Sequence, residues 1–181
     1  MGDTADVTWL PDPDPSGARG DLTGLPDGVL LGRYKLGPVL GRGGSGLVVS
    51  AHDLIAGDEV AVKFVPAMNP GARRQLRREL AALLALRLPG VVRLRDEGVD
   101  GALTFLVTDR IVGEPFSALA GRGGPEVWLP AVSALLEVLA RVHLAGVLHR
   151  DLKPANVLVD ARGRPTVLDF GLAQGRLVGV P

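Results

Sequence analysis

The chain has 181 residues, 46% of them apolar, with 20 basic and 20 acidic side chains and no cysteine. That length and apolar share suit one domain or two small packed lobes, and do not suit an extended polar chain. The cancelled charge offers no field to gather nucleic acid or an anionic membrane, and without cysteine there is no disulfide, thiolate metal site or thiol nucleophile.

Residues 1 to about 30 are rich in Asp, Pro and Gly, with Pro11-Asp12-Pro13-Asp14-Pro15 at their centre. Prolines block helix and ladder hydrogen bonds and the acids repel one another, so this stretch reads as a disordered leader. Its start, Met1 to Asp6, has neither a basic nor an apolar region, so it is no secretory signal. Asp6 stands where N-myristoylation needs Ser or Thr. No run reaches 18 uninterrupted apolar residues, so no membrane segment is expected and the expected compartment is the cytoplasm.

From Arg33 the texture changes. Tyr34 to Leu40 reads as a strand running into glycines, Leu47 to His52 as a second, and Glu59 to Val65 as a third after the turn Ile55 to Asp58. Short links between them suggest an antiparallel meander. A helix is predicted over about Ala72 to Leu86, with Leu76, Leu80, Leu83 and Leu84 at helical spacing. Pro89-Gly90 ends it. Two more strands are expected at Val91 to Leu94 and Leu103 to Thr108. After Gly121 to Gly124 comes a second long helix, about Glu126 to Ala145, with Val132, Leu135, Leu139 and Val142 on one face. Short β segments follow at Val157 to Val159 and Thr166 to Leu168. The order is a β-rich half with one helix, then a helix-led half, with a hinge near Asp109 to Gly113.

Four clusters carry chemistry. In Gly41-Arg42-Gly43-Gly44-Ser45-Gly46, missing Cβ atoms let backbone N–H groups approach phosphate oxygens. The same spelling serves dinucleotide-binding turns and plain hairpins. A dinucleotide site wants a helix straight after the glycines, whereas Leu47-Val48-Val49 is strand-like. The second cluster is Val60-Ala61-Val62-Lys63. Lysine occurs only at positions 35, 63 and 153 in a chain that otherwise uses arginine. A lysine within an apolar strand either seeks an anion or snorkels to water. Glu79 in the next helix is the natural anion, although alone it also suits a surface pair with Arg77 or Arg78.

The third cluster, His149-Arg150-Asp151-Leu152-Lys153-Pro154-Ala155-Asn156, sets a carboxylate, an ammonium and an amide at offsets that can converge on one phosphoryl group. Asp169-Phe170-Gly171 is the fourth, a carboxylate before glycine that can hold Mg²⁺. Three histidines without ligand spacing do not make a zinc site.

In this order and spacing, the four clusters resemble the eukaryotic-type protein kinases that bacteria also carry, from about Arg33 to Ala173. Lys153-Pro154 is similar to the serine/threonine branch. Arg150 separates the chain from small-molecule phosphotransferases, which tend to have glycine there. The resemblance implies an α+β fold: a five-stranded antiparallel N-lobe with one helix over residues 31–110, and an incomplete, mainly helical C-lobe over 111–181, behind a leader at 1–30. It implies ATP and Mg²⁺ as cofactors and a protein as substrate. Gly41, Gly43 and Gly46 would cover the phosphates, and Leu40, Val48 and Ala61 would pack on adenine. Thr108 would stand behind it, with Asp109 to Ile111 as hinge. Lys63 would hold phosphates and pair with Glu79. Asp151 would be the base, Lys153 would contact the γ-phosphate, and Asn156 and Asp169 would bind Mg²⁺. His149 would brace the loop.

The family pattern continues beyond Gly171 through an activation segment and further helices, while this sequence stops at Pro181. Two expectations follow: the front part of a serine/threonine kinase, or a nucleotide-binding or scaffolding remnant without phosphotransferase activity. In the second case, as in a truncated first, the second long helix would leave an apolar face bare.

Overall fold

The computed structural model describes residues 28–43 and 46–175. Most of the expected leader, residues 1–27, lies outside them. The sheet starts earlier than the sequence suggested. Val29–Leu30 forms a short strand, β1, paired antiparallel with β2 (Tyr34–Gly43), and Leu30 is fully buried. The sheet therefore has six strands where five were expected. The others are β3 (Gly46–Asp53), β4 (Glu59–Pro66), β5 (Leu94–Asp100) and β6 (Leu103–Asp109), in the order β1-β2-β3-β4-β6-β5. The expected strand at Val91 to Leu94 is displaced: Val91 makes only an isolated bridge to Val167, and the ladder with β6 begins at Leu94. Its polar residues hid it, because β5 is an edge strand with no fully buried position.

Alternation along the strands sorts side chains onto two faces. Val60, Val62 and Phe64 of β4 join Leu47, Val49 and Ala51 of β3 and Phe105 and Val107 of β6 in one buried cluster. The opposite positions, Ala61, Lys63 and Val65, face the other way beside Thr108, Leu106 and Thr104, their ladder neighbours. On that face lies α1 (Pro70–Ala85), whose Ala72 and Leu76 pack with Val65 and Leu106. Pro70 opens the helix, and the Asn69 side chain caps it by accepting from the Ala72 N–H at 3.0 Å.

After β6 come β7 (Glu114–Pro115), the short helix α2 (Phe116–Ala120) and α3 (Pro125–Leu144). The inner face of α3 is turned slightly from the one expected. Ala131, Val138 and Val142 are buried, and Leu135 packs beside them, while Val132 and Leu139 are only partly covered. Leu129, Leu136 and Leu144 stand exposed. By length and composition alone α3 is apolar enough to cross a bilayer. Among the described residues its Val138 and Val142 pack with Val91, Val147, Val167 and Phe170 in the second lobe, while most of the helix is uncovered. Beyond it lie β8 (Val147–Leu148), β9 (Val157–Val159), β10 (Pro165–Val167) and β11 (Gln174–Gly175), forming a β10-β9-β7 sheet and a β11-β8 pair. The same cluster includes Ala82, Leu83 and Leu86, so the end of α1 is bound to the second lobe.

At one end of the six-stranded sheet, Asp53 is fully buried and accepts from Arg33 at 2.7 and 2.9 Å and from the Ile55 and Ala56 N–H groups. Arg33 and the Tyr34 hydroxyl also reach Asp96 on β5, closing the sheet's curl. The Arg33 guanidinium holds the Asp53 carboxyl well below the usual carboxylate range, against the burial that opposes it. A depressed carboxyl pKa stabilises the fold above the unfolded value near 3.9, and that contribution is lost as pH falls below it. Asp53→Asn should therefore be less stable than the native chain at pH 7, with a shallower loss of stability between about pH 5 and pH 2.5. Urea midpoints measured across that range check this; parallel curves for the two proteins would refute it.

Candidate active site

The face of the sheet that carries Ala61 and Lys63 meets the second lobe across a cleft of about 960 Å³. Leu40, Val48 and Ala61 line its roof, and Thr108, Asp109 and Ile111 its back. Leu158 and Leu168 come from the second lobe, and Lys63, Glu79 and Asp169 lie in the interior. Glycine is required at two points near it. Gly46 has φ +124°, and an added Cβ would stand 2.3 Å from the Phe64 carbonyl oxygen. At Gly113 a Cβ would stand 2.7 Å from the Val159 oxygen, where the connection between lobes crosses β9. Gly41 and Gly43 end β2, and Gly46 begins β3, so the glycines form the tip of a hairpin, not a strand-to-helix turn. Gly44 and Ser45 lie outside the described residues.

The Lys63 ammonium binds Glu79 at 2.7 Å and Asp169 at 3.1 Å. Burial alone would lower its pKa, but the two carboxylates outweigh that and raise it, so Lys63 stays charged. Burial pushes the Glu79 carboxyl up, with Lys63 opposing. At Asp169 burial also opposes ionisation; Lys63 and the Gly171 N–H outweigh it, and the pKa is lowered. Asp169 has φ +49°, a strained conformation for a residue with a side chain, held by these bonds and by the buried Phe170 beside it.

Asp151, Lys153 and Asn156 form a group next to the cleft rather than lining it. The Lys153 ammonium stands 3.5 Å from Asp151, and the Asn156 Nδ2 donates to the Asp151 backbone oxygen at 2.8 Å and to its carboxylate at 3.3 Å. Backbone bonds tie this group to Asp169: the Leu168 N–H donates to the Asn156 carbonyl at 2.8 Å, and His149 Nε2 donates to the Leu168 carbonyl at 2.8 Å. With Nε2 donating, Nδ1 accepts the Asp151 N–H at 3.3 Å, and the ring packs on Phe170. Arg150, at φ +66°, makes the sharp turn between them.

The donor set suits a magnesium ion. Both Asn156 hydrogen bonds use Nδ2, which leaves Oδ1 as an acceptor, and Asp169 accepts Lys63 and Gly171 through Oδ1, which leaves Oδ2. Among the described residues no cluster of three or more His, Cys, Asp or Glu could cage a metal. One carboxylate and one amide oxygen fit Mg²⁺, which keeps waters and phosphate oxygens in its shell, better than Zn²⁺.

Other cleft residues carried no sequence signal. Leu158 and Leu168 sit in short apolar runs that look like any core. Glu114 is paired with Arg122 at 2.6 Å at the outer end. At the connection between lobes, Asp109 is held by Arg93 at 3.3 Å and by Arg95, which also binds Asp58 at 3.0 Å; Arg110 binds Glu59 at 3.2 Å. These ion pairs fix the connection to the turn before β4.

A two-lobed fold with a glycine hairpin, a buried lysine–carboxylate pair and a second carboxylate at the interlobe cleft is the protein-kinase-like arrangement expected from the sequence motifs. The comparisons agree. Residues 34–176 match the family model for the protein kinase domain, and the chain belongs to that family. It is 38% identical over 155 residues to a probable serine/threonine-protein kinase of Streptomyces coelicolor, covering 80% of this chain and 23% of that protein. A DNA damage-responsive serine/threonine-protein kinase of Deinococcus radiodurans is 38% identical over 154 residues, 81% of this chain and 23% of the relative. CBL-interacting protein kinase 22 of Oryza sativa is 38% identical over 184 residues, 90% and 40% respectively. The chain thus spans well under half the length of these relatives.

Removing Lys63 would leave Glu79 and Asp169 as two buried carboxylates facing each other without a cation. Lys63→Met should therefore lower stability by about 3–5 kcal/mol at neutral pH, with part of the loss recovered as acid protonates one carboxyl. Denaturant titrations at pH 7 and pH 5 measure this, and an unchanged midpoint at both would contradict the assigned pairing.

Proposed function

We propose that the cleft binds Mg²⁺ and ATP, and that the chain belongs to an enzyme that transfers the γ-phosphoryl group to serine or threonine hydroxyls of a protein substrate. The observation that carries this is the link from Lys63 through Asp169 and Leu168 to Asn156 and Asp151. In this reading it supports a cation for phosphate, a carboxylate for the metal and a base beside one edge of the cleft. Leu40, Val48 and Ala61 would sandwich adenine against Leu158 and Leu168, with Thr108 behind and Asp109 to Ile111 offering backbone hydrogen bonds. The hairpin of Gly41, Gly43 and Gly46 would cover the phosphates.

Lys63 would hold the α- and β-phosphates, its direction fixed by Glu79. When bound through Asn156 and Asp169, magnesium would neutralise phosphate charge and polarise the transferred group. Asp151 would accept the proton of the substrate hydroxyl. The hydroxyl oxygen would bond to the γ-phosphorus as the bond to the diphosphate leaving group breaks, and Lys153 would stabilise charge on the transferred oxygens. No covalent enzyme intermediate is needed; catalysis is positioning plus electrostatics.

A second reading, nucleotide binding without transfer, draws support from the outer face of α3. Leu129, Leu136 and Leu144 stand exposed there with no described residue covering them, so the second lobe is only partly buried. Transfer of radiolabelled phosphate from ATP to a generic protein substrate separates the two. The kinase reading expects transfer that falls about 10²–10³-fold in Asp151→Asn, while nucleotide affinity changes little. Binding with no transfer by the native chain would favour the second reading, and equal transfer by both proteins would reject Asp151 as the base.

A further inference from the structure

The exposed side of α1 carries Arg73, Arg74, Arg77 and Arg78 on two successive turns. Arg73 with Arg77, and Arg74 with Arg78, are like charges at i,i+4, an arrangement that weakens a helix. Elsewhere the described fold gives Arg33, Arg93, Arg95, Arg110, Arg122 and Arg164 a carboxylate each, while Arg42, Arg87, Arg141, Arg150 and Arg162 are scattered singly without one. None of the four α1 arginines has one among the described residues; Arg73 only reaches the Ala67 carbonyl at 3.5 Å. The single acid of α1, Glu79, points to the opposite, buried side. Arg74 and Arg78 also line a polar hollow of about 420 Å³ with Asn69, Gln75 and Leu172, at the end of the helix where the backbone dipole adds positive charge.

The complementary charge lies in this chain. Residues 1–27 contain Asp3, Asp6, Asp12, Asp14, Asp21 and Asp27 against a single cation, Arg19. We propose that this acidic leader docks on the arginine face of α1. Asp14 and Asp12 lie fourteen and sixteen residues before Gly28, a reach of roughly 46–53 Å at about 3.3 Å per residue. A fold of this size has a radius of gyration of only about 15 Å, so the tether spans the distance. Each exposed ion pair is weak and salt-screened, but tethering supplies an effective concentration on the order of millimolar. The proposal does not depend on whether the chain transfers phosphate.

The chain has no cysteine, so Ser16→Cys gives a single thiol for a nitroxide spin label. The readout is paramagnetic broadening of backbone amide signals in this 181-residue chain. At about 10 mM salt, where the Debye length is about 30 Å, amides of residues 73–78 should lose roughly half their peak height or more; at about 1 M, where it is about 3 Å, they should recover. The same recovery is expected at low salt in a leader variant with Asp12→Asn and Asp14→Asn, substitutions outside the described fold. Unbroadened α1 signals at low salt, broadening that survives both salt and the Asn variant, or broadening of a different surface would each overturn the proposal.

Discussion

One buried ammonium holds the functional geometry together. Lys63 lies on the central strand β4, and its two carboxylate partners are 16 and 106 residues away in sequence. Glu79 brings in α1 and Asp169 brings in the second lobe, so three pieces of chain meet at one charge. A lone ammonium in that position would cost several kcal/mol. Two carboxylates remove that cost, and each then depends on the lysine for its own ionised form. The rest of the architecture serves this meeting: strand alternation turns Lys63 away from the Phe64–Phe105 cluster, Asn69 and Pro70 set where α1 begins, and Phe170 anchors the segment that presents Asp169.

The fold stores strain where the chemistry is proposed. Asp169 and Arg150 both have positive φ without being glycine, which typically costs 1–3 kcal/mol each. His149 lies between them in space, bonded to the Leu168 carbonyl and packed on Phe170. A packed, hydrogen-bonded histidine is what lets two strained turns persist side by side. The same residues join the Asp151–Asn156 segment to Asp169, so rigidity and positioning share a cause.

Much of this was legible in the sequence because it is local. Periodicity located α1 and α3 to within two residues at either end, and the spacing of His149 to Asn156 and of Asp169 singled out residues that the fold brings together beside the cleft. Less local features were hidden. Val29–Leu30 looked like the end of a polar leader, since a two-residue strand has no pattern of its own. β5 is too polar to read as a strand, and only its pairing with β6 makes it one. On α3 most positions are apolar, so composition could not say which side faces the core; contact with Leu119 and Val159 decides for Ala131, and contact with Val91 and Phe170 for Val138. The Arg95–Asp109–Asp58 bracing of the interlobe connection joins residues 14 and 37 positions apart and leaves no trace in spacing.

The central claim is that Lys63 and Asp169 form a phosphate-and-metal site within the cleft. Calorimetric titration of ATP with and without Mg²⁺ tests it most directly. In the native chain the metal should tighten ATP binding by about tenfold or more, equivalent to about 1.4 kcal/mol, and in Asp169→Asn that gain should vanish. An equal magnesium dependence in both proteins would contradict the account.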